Sequence, residues 1–194
     1  MGNAGFGMNQ CHSASFGRRR GSPFTRAWWT CRPAVTVDLD TAVHESGHAV
    51  VAAALGVRVL VVRAIPLDAG ICGGRSSGLT FLDPRTAWAA TPEVHASVDV
   101  AGGLAERLAG VEPRGHSRDL EKALGHAATK ADPRAWLERI VERTRRILSW
   151  NAAVLFGLAE VVHARGVLHG DDLGSLLQLV DRVEDDESRF SRST

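Results

Sequence analysis

The stretch TAVHESGHAVVAAALG, residues 41–56, decides the fold, because it is the most apolar segment of the chain and yet contains two histidines and a glutamate. Asp38 precedes it as a cap candidate and Gly56 closes it, so it predicts a helix of about four turns. Apolar residues surround that helix on nearly all sides, and we therefore expect it at the centre of the core. Polar side chains are costly to bury there without partners.

The polar residues of this helix form an H-E-x-x-H motif. His44 and His48 are separated by one helical turn, so their rings share a face and can bind one zinc ion. Glu45 lies beside that face, where it can accept a proton from water, as in zinc peptidases. The alternative is two hydrogen-bonded core histidines next to a surface glutamate. We favour the zinc site because unligated imidazoles fit poorly in an apolar helix.

A catalytic zinc ion normally has three protein ligands, so one ligand must come from elsewhere in the chain. Four downstream acids and histidines lie near helix starts or on apolar faces, and their spacing does not choose among them. These candidates are Glu106, His116, Asp119 and His126.

The rest of the chain predicts a mainly α domain with a small β-sheet. Alternation and β-branched residues indicate strands at 57–66 and 73–82. Helical periodicity and capping residues indicate helices at 92–110, 117–129, 132–165 and 171–183. The tryptophans at positions 88, 136 and 150 are expected to pack in the core, and the histidines at 95, 163 and 169 to lie at the surface or at helix caps.

Composition favours one domain, residues 38–194, after a basic tail. The chain has 194 residues, of which 44% are hydrophobic, and no apolar run is long enough for a membrane span. Residues 1–37 carry a net charge of +5, which leaves −4 for the remainder. The tail is rich in Gly, Ser and Arg, so we expect it to be disordered. Three cysteines without a CxxC pair favour a reducing compartment, and we expect a cytoplasmic protein.

Four segments, in this order and spacing, resemble the peptidase domain of the FtsH family of AAA-linked zinc proteases. The resemblance covers about four-fifths of the chain and implies a zincin-type helical peptidase fold. It places the two zinc histidines on His44 and His48, the catalytic glutamate on Glu45 and the third zinc ligand on Asp119. It aligns Glu106 with an acid that does not bind the metal. The four segments are HESGHAVVAAALG (44–56), GLTFL (78–82), GGLAERLAG (102–110) and GHSRDLEKALGHA (115–127).

The chain departs from the family pattern at Leu104, where the family has Arg, and at Arg118, where it has Asn. It also contains no phosphate-binding G-x-x-x-x-G-K-[ST] loop, so we expect no ATP binding by this chain. The resulting prediction is a zinc metalloendopeptidase that acts on unfolded or flexible polypeptides. The family suggests a separate AAA ATPase partner and homo-oligomers through the peptidase domain.

Two other function classes stay open. One is a binding or regulatory module that keeps the fold but cleaves nothing, or that docks onto a separate ATPase partner. The other is a metal-dependent hydrolase of a non-peptide bond. The intact Glu45 argues against the first. Gly47 adds a structural prediction: glycine costs a helix about 1 kcal/mol relative to alanine, so a neighbouring backbone should approach it closely. We expect that neighbour to be the helix that carries Asp119.

Overall fold

A computed structural model describes residues 37–66, 76–113 and 117–183 of the chain. The tail predicted for residues 1–37 lies outside this part except for Val37, which is buried in the core. His116, one of the four candidate third ligands, also lies outside it. The described residues form helices α1 (Leu39–Ala54), α2 (Pro84–Trp88), α3 (Pro92–Leu108), α4 (Ser117–Ala127), α5 (Pro133–Trp150), α6 (Ala152–Arg165) and α7 (Gly170–Leu177), and strands β1 (Val59–Pro66), β2 (Ser76–Leu82) and β3 (Val167–His169).

Helix α1 is the central element, as its apolar sequence predicts. The Asp38 side chain caps its first turn by accepting a hydrogen bond from the Asp40 amide at 3.3 Å. Gly56 ends it with a φ of +80°, a conformation that glycine adopts without strain. Nearly every residue between these ends is buried, because α3, α6, β1 and β2 all pack against the helix.

The sheet has three antiparallel strands in the order β2-β1-β3. The mainly α architecture with a small sheet is thus confirmed, and β3 and α2 are additions that the sequence did not predict. Strand β2 pairs with β1 on one side only, and its other edge carries no strand within the described residues. Since α1 packs against β2, this edge strand lies next to the histidine-bearing helix.

The predicted helix at 132–165 is instead two helices, α5 and α6, which meet at Asn151 with a bend of 77°. The Asn151 side chain donates to the carbonyl of Ile147 at 3.0 Å and accepts from the amide of Asp181 at 2.7 Å. Asparagine competes with the helical backbone for hydrogen bonds in this way, which accounts for the break. Within the described part, no single helix is long and apolar enough to cross a membrane, although α5 and α6 taken together meet that test.

Two of the three tryptophans expected in the core are at the surface. Trp88 is 91% exposed and Trp150 is 63% exposed, because each stands at the last position of its helix. Trp136 is buried as predicted. It packs in a second, smaller apolar cluster between α3, α4 and α5, and its indole N–H donates to Glu93 at 3.1 Å.

The neighbour of Gly47 is α3 and not the helix that carries Asp119, so that prediction was wrong. A β carbon at Gly47 would lie 2.6 Å from the Ala105 Cβ and 2.9 Å from the Ala101 carbonyl oxygen. Small residues on α1 and α3 allow the two helices to lie this close together. As a result, Gly102 of α3 lies against His44 and His48.

Candidate metal centre

The structure brings the side chains of His44 and His48, on α1, together with that of Asp119, on α4. The Nε2 atoms of the two histidines are 3.0 Å apart, and Oδ2 of Asp119 lies 3.4 Å from the first and 3.5 Å from the second. Two ligand atoms at 2.0–2.1 Å from a tetrahedral zinc ion would be separated by about 3.3 Å. The three atoms therefore fit a common metal ion, and they are a group among the described residues that could hold one.

The outer nitrogens of both imidazoles point away from Asp119 towards acceptors. Nδ1 of His48 donates to the Val98 carbonyl oxygen at 2.7 Å, which leaves Nε2 with a free lone pair in the neutral ring. Nδ1 of His44 lies 3.3 Å from Oε2 of the buried Glu106, within ion-pair distance but outside hydrogen-bond geometry. Metal-binding histidines commonly have such outer partners, which orient the ring.

Glu106 thus contacts a histidine from behind and does not join the ligand group. His126, the other described candidate, lies 3.9 Å from Oδ2 of Asp99 and stacks on His95 with ring centroids 5.7 Å apart. Neither residue belongs to the group formed by His44, His48 and Asp119.

The electrostatics hold the pair of His44 and Asp119 in opposite charge states when no metal is bound. Burial by itself lowers the pKa of His44, but hydrogen bonding to Asp119 and the nearby Glu106 carboxylate outweigh burial and raise the pKa to about 9. Burial favours a higher pKa for Asp119 as well, yet hydrogen bonds from both histidines and Lys122 keep that pKa well below its usual range. The carboxylate is therefore ionised, as a metal ligand must be.

Glu45 lies beside the ligand group and is held by β2. Its Oε2 accepts a hydrogen bond from the Thr80 hydroxyl at 2.7 Å, and the same hydroxyl lies 2.9 Å from the Glu45 backbone oxygen. Gly78 leaves room for this side chain, because a β carbon there would overlap the Glu45 carboxylate. The carboxylate is thus placed by contacts from a strand that is distant in sequence.

No protein-family model matches this sequence, and no curated protein is significantly similar to it. The resemblance to the FtsH peptidase domain accordingly stays a prediction.

The ligand group opens into a cavity of about 540 Å³. Its walls come from α1, β2, α3 and α4, so the cavity extends from the histidines to residues of β2. Its lining residues are Thr41, His44, Glu45, His48, Gly78, Leu79, Thr80, Leu82, Val98, Asp99, Glu106, Arg118, Asp119 and Lys122.

Sequence reasoning missed Lys122, Asp99 and Thr80 as neighbours of the site. Lys122 lies three residues after Asp119 and donates to its Oδ1 at 2.7 Å, a helical spacing that could have signalled the pair. The same ammonium is 3.9 Å from Oδ1 of Asp99, whose pKa is raised by burial. Asp99 and Thr80 reach the site through tertiary packing, for which the sequence offers no local signal.

Proposed function

We propose that this chain is a zinc-dependent metalloendopeptidase. The observation that carries the proposal is the convergence of His44 Nε2, His48 Nε2 and Asp119 Oδ2 next to the Glu45 carboxylate, inside an open cavity. Two histidines and one carboxylate are a ligand set used by catalytic zinc sites, which keep a position open for water or substrate. Glu106 and the Val98 carbonyl support this set from behind.

Zinc bound to this set would supply Lewis acidity, which polarises a carbonyl group and lowers the pKa of water. Glu45 would act as the general base, since its carboxylate lies beside the ligands and is oriented by Thr80. After taking a proton from the attacking water, Glu45 would deliver it to the leaving amine. The net reaction adds one water molecule across the peptide bond.

The edge of β2 supports a polypeptide substrate. Gly78, Leu79 and Thr80 line the cavity, and within residues 37–66, 76–113 and 117–183 the strand pairs with β1 alone. An extended peptide can add to such an edge through backbone hydrogen bonds, which is a common way to bind unfolded chains. This feature favours peptide bonds over the non-peptide substrates that the same metal chemistry would permit.

The zincin-type fold and the choice of zinc belong to the same proposal. The architecture of a central histidine-bearing helix beside a small sheet is compatible with the FtsH peptidase domain that the sequence resembles. A polypeptide substrate needs to be unfolded at its cleavage site in order to lie along β2. Folded substrates would require a separate unfolding partner, such as an AAA ATPase.

The decisive experiment compares the wild type with Glu45→Gln, and uses Glu160→Gln, on the exposed surface of α6, as the matched control. Zinc content and cleavage of casein and fluorogenic peptides are measured for each protein. We expect all three to bind zinc, and Glu45→Gln to lose at least about 100-fold in kcat/KM. Equal turnover by Glu45→Gln and wild type would reject the assigned base. Zinc bound without turnover by the wild type would favour the non-cleaving regulatory module.

A further inference from the structure

Three charged side chains of the cavity next to the ligand group have no part in the proposed chemistry, Asp99, Lys122 and Arg118, and of these we single out Arg118. It is the second residue of α4, it is exposed, and it directly precedes Asp119. The positive end of a helix dipole disfavours a cation in the first turn, so helix stability does not account for an arginine at this position.

The carboxylates that line the cavity are already engaged by other groups. An arginine next to an unpaired carboxylate of the protein would form an ion pair with it and would not be available to a ligand. The engaged pairs are Glu45 with Thr80, Glu106 with His44, Asp119 with both imidazoles and Lys122, and Asp99 with Lys122 and His126.

The other lysine or arginine of the cavity lining, Lys122, is also occupied. Its ammonium lies 2.7 Å from Oδ1 of Asp119 and 3.9 Å from Oδ1 of Asp99. Arg118, in contrast, makes no ion pair within the part of the chain that the structure describes. A guanidinium group offers several N–H donors in one plane, which match the two oxygens of a carboxylate.

We propose that Arg118 is a specificity-determining residue that recognises a carboxylate of the substrate. Peptides bearing an acidic group near the cleaved bond would then be preferred over neutral and basic ones. The carboxylate can be an Asp or Glu side chain or the free C-terminus of a short peptide. A peptide added to the free edge of β2 would lie in the cavity that Arg118 also lines. This inference rests on the proposed peptidase function and names its substrate class.

The test uses one peptide sequence in matched versions, with Glu, Gln or Lys at each position flanking the cleaved bond. Each version is made with a free and with an amidated C-terminus, so that side-chain and terminal carboxylates are distinguished. Wild type should cleave the carboxylate-bearing versions with a kcat/KM about five-fold higher, a difference that diminishes at high salt. Arg118→Glu should reverse the order in favour of lysine. The control Arg139→Glu, which alters an exposed arginine on α5, should keep the wild-type order.

A binding arm separates this inference from the proposed function. Fluorescently labelled versions of the same peptides are titrated into zinc-loaded Glu45→Gln, with and without Arg118→Glu, and followed by anisotropy. If no peptide is cleaved by wild type, the proposed peptidase function fails, and the binding preference alone decides on Arg118. Equal affinity for the Glu, Gln and Lys peptides, or the same preference with and without Arg118→Glu, would overturn the inference.

Discussion

Gly102 of α3 lies directly against the imidazole ring of His44. A β carbon at this position would stand 2.5 Å from Nε2 of His44 and 2.6 Å from Nε2 of His48, the two nitrogens that face Asp119. Both distances are shorter than van der Waals contact allows, so a side chain here would have to push the rings apart. The two rings can therefore hold their present positions only because residue 102 has no side chain.

Gly102→Ala should weaken zinc binding by at least about tenfold, because the rings would leave their shared position. Competition with a chromophoric chelator measures this directly. Gly157→Ala is the matched control, since a β carbon on α6 at that position meets no atom within 4 Å. The control should bind zinc normally and gain about 0.5–1 kcal/mol in free energy of unfolding from its better helix propensity. Unchanged zinc affinity in Gly102→Ala would contradict the assignment of these two nitrogens as ligands.

Thr80→Val should lower kcat while leaving zinc content intact. The substitution keeps the shape of the side chain and removes the hydroxyl that donates to Glu45 at 2.7 Å. A hydrogen bond to a charged group contributes on the order of 1.5–3 kcal/mol, so we expect a decrease of about tenfold or more in peptide turnover. Thr80→Ser retains the donor and should recover most of the activity. If valine and serine variants behaved alike, the hydroxyl would have no role in placing the base.

Zinc binding should release a proton from His44. Without metal the pKa of this ring is about 9, so it is protonated at neutral pH and must lose its proton before Nε2 can bind zinc. Zinc affinity should consequently rise as the pH increases towards about 9 and then level off. Calorimetry in buffers of different ionisation enthalpy counts the released protons.

Glu106→Gln is the informative variant for this proton release. Removal of the charge lowers the His44 pKa, so fewer protons should be released at pH 8 than by the wild type. The variant should also bind zinc about 10–100-fold more weakly at high pH, since the outer partner of the ring loses its negative charge. Proton release identical to that of the wild type would show that Glu106 does not act on His44.

Glu93 should contribute to stability in a defined acid range. Its hydrogen bond from Lys130, at 2.8 Å, lowers the pKa of Glu93 from 4.5 to about 2. Stabilisation is complete above pH 4.5 and is lost as the pH falls towards 2, because protonation removes the ion pair. The pair is partly exposed, so we expect Glu93→Gln to cost only about 1 kcal/mol at neutral pH, with most of this difference lost at pH 2. Urea unfolding at several pH values in this range measures the difference in free energy of unfolding. As a control, Glu138→Gln, at an exposed position of α5, should change this free energy little at either pH.

The sequence identified the part of the site that lies within one helix. The spacing of His44 and His48 and the position of Glu45 follow from helical geometry, and the structure places them as predicted. Asp119 emerged from the resemblance only, since four candidates had suitable local contexts. The structure describes three of these candidates, Glu106, Asp119 and His126. Of the three, Asp119 alone groups with the two imidazoles.

The residues that sequence reasoning could not find act across long distances in the chain. Thr80 orients a glutamate 35 positions away, and Val98 offers a backbone carbonyl, which no side-chain pattern reveals. The fold shows the same limit at Asn151, where periodicity continues through the break between α5 and α6. There the decisive bonds run to residue 181, at the far end of the domain.

Helix α4 has little apolar surface of its own to hold it in place. Among its side chains only Ala123 and Ala127 are buried, while Leu120 and Leu124 remain largely exposed. An ion shared by Asp119 and the two histidines would therefore fasten α4 to the central helix as well as serve catalysis. Removal of the metal by a chelator would then detach α4 while the core around α1 stayed folded. Loss of metal would therefore be detected as increased protease cleavage between residues 117 and 127.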